Sequence, residues 1–128
     1  MITGKNTNTA RVVHECVIDA SGMSLGRVAS SAAKALMGKT LPTYTPHVRS
    51  DVKVRVINMG KLSVIRESKL NRARYTHYTG YPGGLKLNSI ASLRMKGGVG
   101  APLRKAVERM LPRNTFRTAR MKNLIITA

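Results

Sequence analysis

The stretch Ser24-Leu-Gly-Arg-Val-Ala-Ser-Ser-Ala-Ala-Lys-Ala-Leu-Met-Gly38 decides the fold. Leu25, Val28, Ala29, Ala32, Ala33, Leu36 and Met37 recur at three- and four-residue spacing, which gathers them into one apolar stripe of a helix. Arg27, Ser30, Ser31 and Lys34 take the other face. Ser24 stands where an N-cap belongs, and Gly38 where a left-handed C-terminal cap belongs. The many alanines let such a helix lie close to a sheet.

The flanking sequence supplies that sheet. Residues 12–18 are rich in β-branched side chains and apolar on both faces apart from His14 and Glu15, which predicts a strand buried on both sides. Residues 19–23 form a turn. Residues 39–49 carry Pro42 and Pro46 and read as an extended connection. In residues 52–58, Val52, Val54 and Val56 alternate with Lys53 and Arg55, the period of a strand. Strand, helix, long link and strand predict a right-handed βαβ crossover and a parallel pair.

Further along, residues 61–66 are a shorter strand candidate and 67–71 a turn or helical cap. Asn88 or Ser89 can cap a short helix through Ile90, Leu93 and Met95, which the glycine-rich spacer 97–100 ends. Pro102 suits the start of a second good helix, striped by Leu103, Ala106, Val107, Met110 and Leu111 and stopped by Pro112. Residues 113–122 have room for a helical turn or two, and 124–127 read as a last short strand. The class is α/β: three layers, α/β/α, around a small mixed, partly parallel central sheet. A polar, flexible tail over residues 1–10 precedes a single domain over 11–128 with a basic C-terminal region.

Charge bounds the function. Lys and Arg number 23 against 5 Asp and Glu, a net +18 in 128 residues. So few acids cannot pair so many bases, so most cations face solvent or an anionic partner, and nucleic acid is the leading one. An anionic membrane surface is the weaker alternative, because no amphipathic segment pairs a strongly apolar face with an aromatic belt. Cys16 is the only cysteine, which leaves no internal disulfide and no Cys-x-x-Cys half-site. No apolar run reaches the roughly 20 residues of a membrane-spanning helix, and the N-terminus lacks the apolar core of a signal peptide.

A nucleotide-binding α/β enzyme is the other alternative, and its motifs fail. Ala33 stands near the place of the first glycine that a phosphate-binding loop ending in Gly38-Lys39 would need. Gly22 and Gly26 are wrongly spaced for a dinucleotide fingerprint, and the glycines at 97–100 do not follow a strand. Asp19 reads as a turn residue, and five acids make a paired-carboxylate site improbable. His14, Cys16, His47 and His77 lack the spacing of a metal site. Neither a metal nor a cofactor nor a small-molecule substrate is expected.

The basic residues are spread over several elements, which suits a folded RNA better than a DNA groove. Arg27 and Lys34 share a helix face. Lys39 and Arg49 bracket a connector containing Tyr44 and His47. From Arg104 onward, Lys105, Arg109, Arg113, Arg117, Arg120 and Lys122 accumulate against only Glu108, with Arg104, Lys105 and Arg109 on the outer face of their helix. The run Asn71-Arg-Ala-Arg-Tyr-Thr-His-Tyr-Thr-Gly-Tyr-Pro-Gly-Gly-Leu-Lys86 threads Arg72, Arg74, His77 and Lys86 among Tyr75, Tyr78 and Tyr81, with Gly80, Gly83 and Gly84 around Pro82. It reads either as a surface loop that touches a polyanion or as a strand ending in a glycine-rich turn.

Certain words resolve this choice. Asp19-Ala-Ser-Gly-Met-Ser-Leu-Gly-Arg-Val-Ala-Ser30, Gly38-Lys39, Tyr44-Thr-Pro-His-Val48, Asp51, Val56-Ile-Asn58, Tyr75, Thr79-Gly-Tyr-Pro-Gly-Gly84, Ala106-Val107 and Met110-Leu-Pro-Arg-Asn114 follow one another in an order and spacing that resemble the L-thirteen family of large-subunit ribosomal proteins. The resemblance runs from about Val13 to Ala128. It implies a non-catalytic, early-joining assembly protein seated on large-subunit rRNA beside other ribosomal proteins. The ribosome would be a bacterial-type one in the cytoplasm or one in an organelle matrix. By matching position it implies RNA-facing roles for Arg27, Gly38, Lys39, Tyr44, His47, Tyr81, Gly83, Gly84 and the region of Met110 to Arg113. Tyr78 departs from the family, which usually carries His there. The resemblance divides the tyrosine-rich run: Tyr75 reads as strand and Tyr81 to Gly84 as the contact loop.

Overall fold

A computed structural model describes residues 14–63 and 67–127. In chain order the elements are β1 (Glu15–Asp19), α1 (Leu25–Leu36), β2 (Lys53–Ile57), a 3-10 turn (Met59–Lys61), α2 (Glu67–Arg72), β3 (Arg74–Tyr78), β4 (Leu85–Ser89), α3 (Ile90–Gly97), α4 (Ala101–Met110), α5 (Phe116–Lys122) and β5 (Leu124–Ile126). The class is α/β, as expected. Parallel and antiparallel pairings fall in two places: a three-stranded parallel sheet in the order β1-β2-β5, and a two-stranded antiparallel sheet of β3 and β4. The expected tail at residues 1–10 lies outside the described residues.

The alanine-rich helix does what its stripe requires. Val28, Ala29, Ala32, Ala33, Ala35 and Leu36 of α1 are all buried, and α1 packs on β1, β2 and α4. Beneath it lie Val54 and Val56 of β2, and Leu103 and Val107 of α4, each with no exposed surface. A fully buried aliphatic side chain of this size contributes about 1.5–3 kcal/mol. Met59, Leu111 and Leu124 complete the same cluster.

The end of α1 is closed by backbone geometry. The amide of Lys39 donates to the Lys34 carbonyl at 3.1 Å, and that of Gly38 to Ala35 at 2.9 Å. This paired pattern needs a left-handed residue, and Gly38 has φ +78°. At the other end, Ser24 occupies the N-cap but its side chain makes no capping hydrogen bond.

The first strand departs from expectation. It is not buried on both sides: exposure alternates along it, and Val17 is 58% exposed. The parallel register explains this, because Glu15 lies beside Lys53 and Val17 beside Arg55. Those charges would have to be buried with Val17 if that face were covered. Instead Arg55 pairs with Glu15 at 3.1 Å on an open surface.

Three further elements differ from the sequence reading or extend it. Where a strand was expected from residue 61, Lys61 ends the 3-10 turn instead, and residues 64–66 lie outside the described set. The turn or cap expected at 67–71 is the short helix α2. Strand β4 was not anticipated. It pairs with β3 so that Tyr78 faces Leu85 and His77 faces Lys86. The short helix is capped as expected, by Ser89, whose side chain accepts from the Ser92 amide at 3.1 Å.

Gly38 also carries a packing constraint. A Cβ there would sit 2.7 Å from that of Ser50, whose hydroxyl donates to the Leu36 carbonyl at 2.9 Å. Gly38→Ala should therefore lower the unfolding free energy by at least about 1–2 kcal/mol from left-handed strain alone. Urea denaturation monitored by circular dichroism checks this, and an unchanged midpoint would contradict it.

Candidate nucleic-acid interface

The two glycine-bounded strands of the tyrosine-rich run form a hairpin. At its tip, the Thr79 amide donates to Gly84 at 3.3 Å and the Gly84 amide to Tyr81 at 2.9 Å. Gly80 (φ +91°) and Gly83 (φ +73°) supply the left-handed backbone that this loop needs. Gly84 has a different reason to be glycine: a Cβ there would collide with the Thr79 hydroxyl and lie 2.9 Å from the Tyr81 carbonyl oxygen. The tip leaves Tyr81 75% exposed.

One arginine ties this hairpin to the helical body. Arg109 of α4 donates from Nη2 to the Thr76 carbonyl at 2.6 Å, and its guanidinium lies 4.9 Å from the centre of the Tyr75 ring. The Tyr75 hydroxyl in turn donates to the Pro102 carbonyl at 3.4 Å. Burial pushes the Tyr75 phenol above its ordinary pKa, against the opposing charge of Arg109.

Between the hairpin and the helices lies an open groove of about 690 Å³. Thr76, His77 and Tyr78 line one side, and Lys105, Glu108, Arg109, Arg113 and Arg117 the other. Glu108 accepts from Lys105 at 2.8 Å and from Arg117 at 3.0 Å, which joins α4 to α5. The Lys105 hydrogen bond is the main cause that holds its carboxyl below the ordinary range. The charges of Lys105 and Arg117 add to it, against a burial penalty. Four cations against one carboxylate make the groove basic and suit it to phosphate.

Several sequence-predicted residues meet at this groove: His77, Tyr78, Arg109, Arg113 and Arg117. Arg27 and Lys34 are exposed on α1 and do not line the groove. Each lies about one helical turn from Ser30, whose hydroxyl donates to the sulfur of Met110 at 3.7 Å. Arg72, Arg74, Lys86 and Lys122 are exposed on neighbouring elements. The connector forms a separate place. There Gly38, Tyr44 and Arg49 line a pocket of about 270 Å³. Lys39 and His47 are exposed nearby in sequence.

Other expected contacts have internal duties. Arg120 is the clearest correction: it is 3% exposed, its guanidinium lies 5.7 Å from the Phe116 ring, and its Nε finds no partner among the described residues. A side chain so enclosed offers no surface to a phosphate. Gly38 is likewise buried, as a helix cap rather than a contact. Arg49 is held by Asp51, with its nearer nitrogen at 2.6 Å.

The sequence places Lys105 and Arg109 around Glu108 on the outer face of this helix, but neither Lys105 nor Glu108 is read there as an RNA contact. Residues 105, 108 and 109 fall on one face of a helix by their three- and four-residue separations. Asp19 has the turn role expected of it. Its Oδ1 accepts from the Ser21 amide at 2.9 Å, the Ser21 hydroxyl at 2.8 Å and Asn58 at 3.0 Å. These bonds, the Ser21 amide first, hold its carboxyl below the ordinary range. Among the described residues, no cluster of His, Cys, Asp and Glu could hold a metal ion. No helix there is long and apolar enough to cross a membrane.

Comparison with known proteins identifies the family of the chain. The family model of ribosomal protein L13 matches residues 13–127. The large ribosomal subunit protein uL13 of Caldanaerobacter subterraneus subsp. tengcongensis is 47% identical over 108 residues, covering 84% of this chain and 74% of that protein. That of Moorella thermoacetica is 41% identical with the same coverage. That of an Acidovorax species is 43% identical over 116 residues, 90% of this chain and 80% of its own length. The chain therefore belongs to the ribosomal protein L13 family, whose members are structural and not enzymes.

Proposed function

We propose that this chain is a structural constituent of the large ribosomal subunit that binds large-subunit rRNA through its basic surface and helps the subunit assemble early. The observation that carries the reading is the groove, where Lys105, Arg109, Arg113 and Arg117 converge beside an exposed hairpin in a chain of net charge +18. Arginine and lysine neutralise phosphates, and exposed tyrosine faces stack on unpaired bases. The rigid aliphatic core holds these groups at fixed separations, so converging RNA segments are clamped without prior ordering of the protein. Relatives named as large ribosomal subunit proteins support the same assignment. Neighbouring ribosomal proteins are further partners, and the ribosome of a bacterial cytoplasm is the proposed location, with an organelle ribosome as the alternative.

The direct test is whether the chain sediments with large subunits after a moderate salt wash. Retention on large subunits supports the reading. Release into the free fraction, or binding to anionic vesicles in preference to rRNA, would contradict it. For about six to ten engaged phosphates, rRNA affinity should fall by roughly 10³ to 10⁵ between about 50 and 200 mM salt. Binding that hardly responds to salt would sink the electrostatic account.

Two substitutions separate contact from packing at the hairpin tip. Tyr81→Ala should weaken rRNA binding by about 1–3 kcal/mol through loss of stacking. An unchanged affinity with a lowered melting temperature would make Tyr81 a packing residue. Gly83→Val should impair incorporation into particles more than replacing an exposed lysine, because φ is +73° there. Full incorporation of that variant would count against the loop's role.

A further inference from the structure

Among the described residues, Glu108 is the only acid lining the groove, and it already occupies two of the four cations there. Its two oxygens divide the work: Oε2 lies 2.8 Å from Lys105 Nζ and Oε1 lies 3.0 Å from Arg117 Nη2. A carboxylate bridging an ammonium and a guanidinium fills the position that two phosphate oxygens would fill. Arg109 is committed to the Thr76 carbonyl and the Tyr75 ring. Arg113 alone among the four has no partner among the described residues.

The opposite wall supplies directional donors. The Thr79 amide bonds to Gly84 and the Ile90 amide to Ala73. In an antiparallel pair this alternation turns the backbone groups of Thr76 and Tyr78 away from β4. The Arg109 bond to the Thr76 carbonyl agrees with that direction. The groove therefore combines an outward strand edge, one uncommitted guanidinium and two cations held by an internal anion.

We propose that Glu108 is an internal competitor in this groove, which the phosphates of a bound RNA strand must displace. The inference rests on the rRNA-binding reading above. The Lys105, Arg117 and Glu108 side chains are 42%, 31% and 30% exposed, so the bridges are solvated enough to exchange. A loosely tracking polyanion gains little by replacing a carboxylate that is already in place. A strand shaped to meet Arg113 and the β3 edge together gains those contacts as well, and only such a strand offsets the displacement. Glu108 thus lowers the affinity of an RNA strand that seats in the groove and leaves RNA that does not seat there little changed.

The test compares wild type with Glu108→Gln and with Glu15→Gln, which removes one charge from the Arg55 pair on the open sheet face. Each is titrated with folded large-subunit rRNA and with poly(U), over a salt series. Glu108→Gln should tighten rRNA binding roughly three- to fivefold and steepen its log K against log salt slope by about one. Its poly(U) affinity should stay within about twofold, so the preference for rRNA rises. Glu15→Gln should leave the preference unchanged, and Glu108→Asp, which keeps the charge, should largely restore it. A preference that stays unchanged in Glu108→Gln, or rises equally in Glu15→Gln, overturns the inference alone. A wild-type chain with no preference for rRNA overturns the RNA reading and this inference with it.

Discussion

A chain with 23 cations and 5 acids folds under one dominating constraint: almost no positive charge can be paired internally. Burying an unpaired charge costs far more than any single packing contact returns. The interior is accordingly aliphatic, from the alanines of α1 to Val54, Val56, Leu103 and Val107, with Arg120 the sole buried charged residue among those described. The same constraint shapes the parallel sheet. Lys53 and Arg55 alternate with the core valines of β2, so one sheet face packs and the other stays open. Excess charge on the surface then becomes the property that an anionic partner relieves.

The surface charge is organised by a few hydrogen bonds rather than spread evenly. Arg109 holds the hairpin to α4 through a backbone carbonyl, and Glu108 holds α4 to α5 through two cations. Both residues lie on the outer face of a helix whose inner face is fixed by Leu103 and Val107. The rigid packing of α1 against α4 is therefore transmitted to the groove within one side-chain length. Membership of the ribosomal protein L13 family gives this arrangement its biological setting.

Much of this was legible in the sequence because local signals and packing agreed. The stripe from Leu25 to Met37, the left-handed glycine at 38 and the alternation at 52–58 each reported a periodicity that burial then enforced. Strand β4 was not legible for the converse reason: Leu85 and Leu87 are 58% and 46% exposed, so no burial sharpened their short alternation. The double-sided burial expected of β1 failed because its exposure is decided by charges on its neighbour, Lys53 and Arg55. At the candidate site the cations were visible but their internal duties were not. That Arg120 is buried, or that Arg49 is held by Asp51, depends on which way a side chain turns, and charge counting carries no such information.

On the proposed reading, RNA meets the hairpin and the groove-lining faces of α4 and α5, and the open face of the parallel sheet, where Arg55 pairs with Glu15, is not part of that surface. Ultraviolet crosslinking of the chain within large ribosomal subunits, read by mass spectrometry, tests this most directly. Crosslinks to rRNA are expected at Tyr78, Tyr81 and Lys105. Crosslinks confined to Lys53 and its neighbours on the open sheet face, with none on the hairpin, would contradict it.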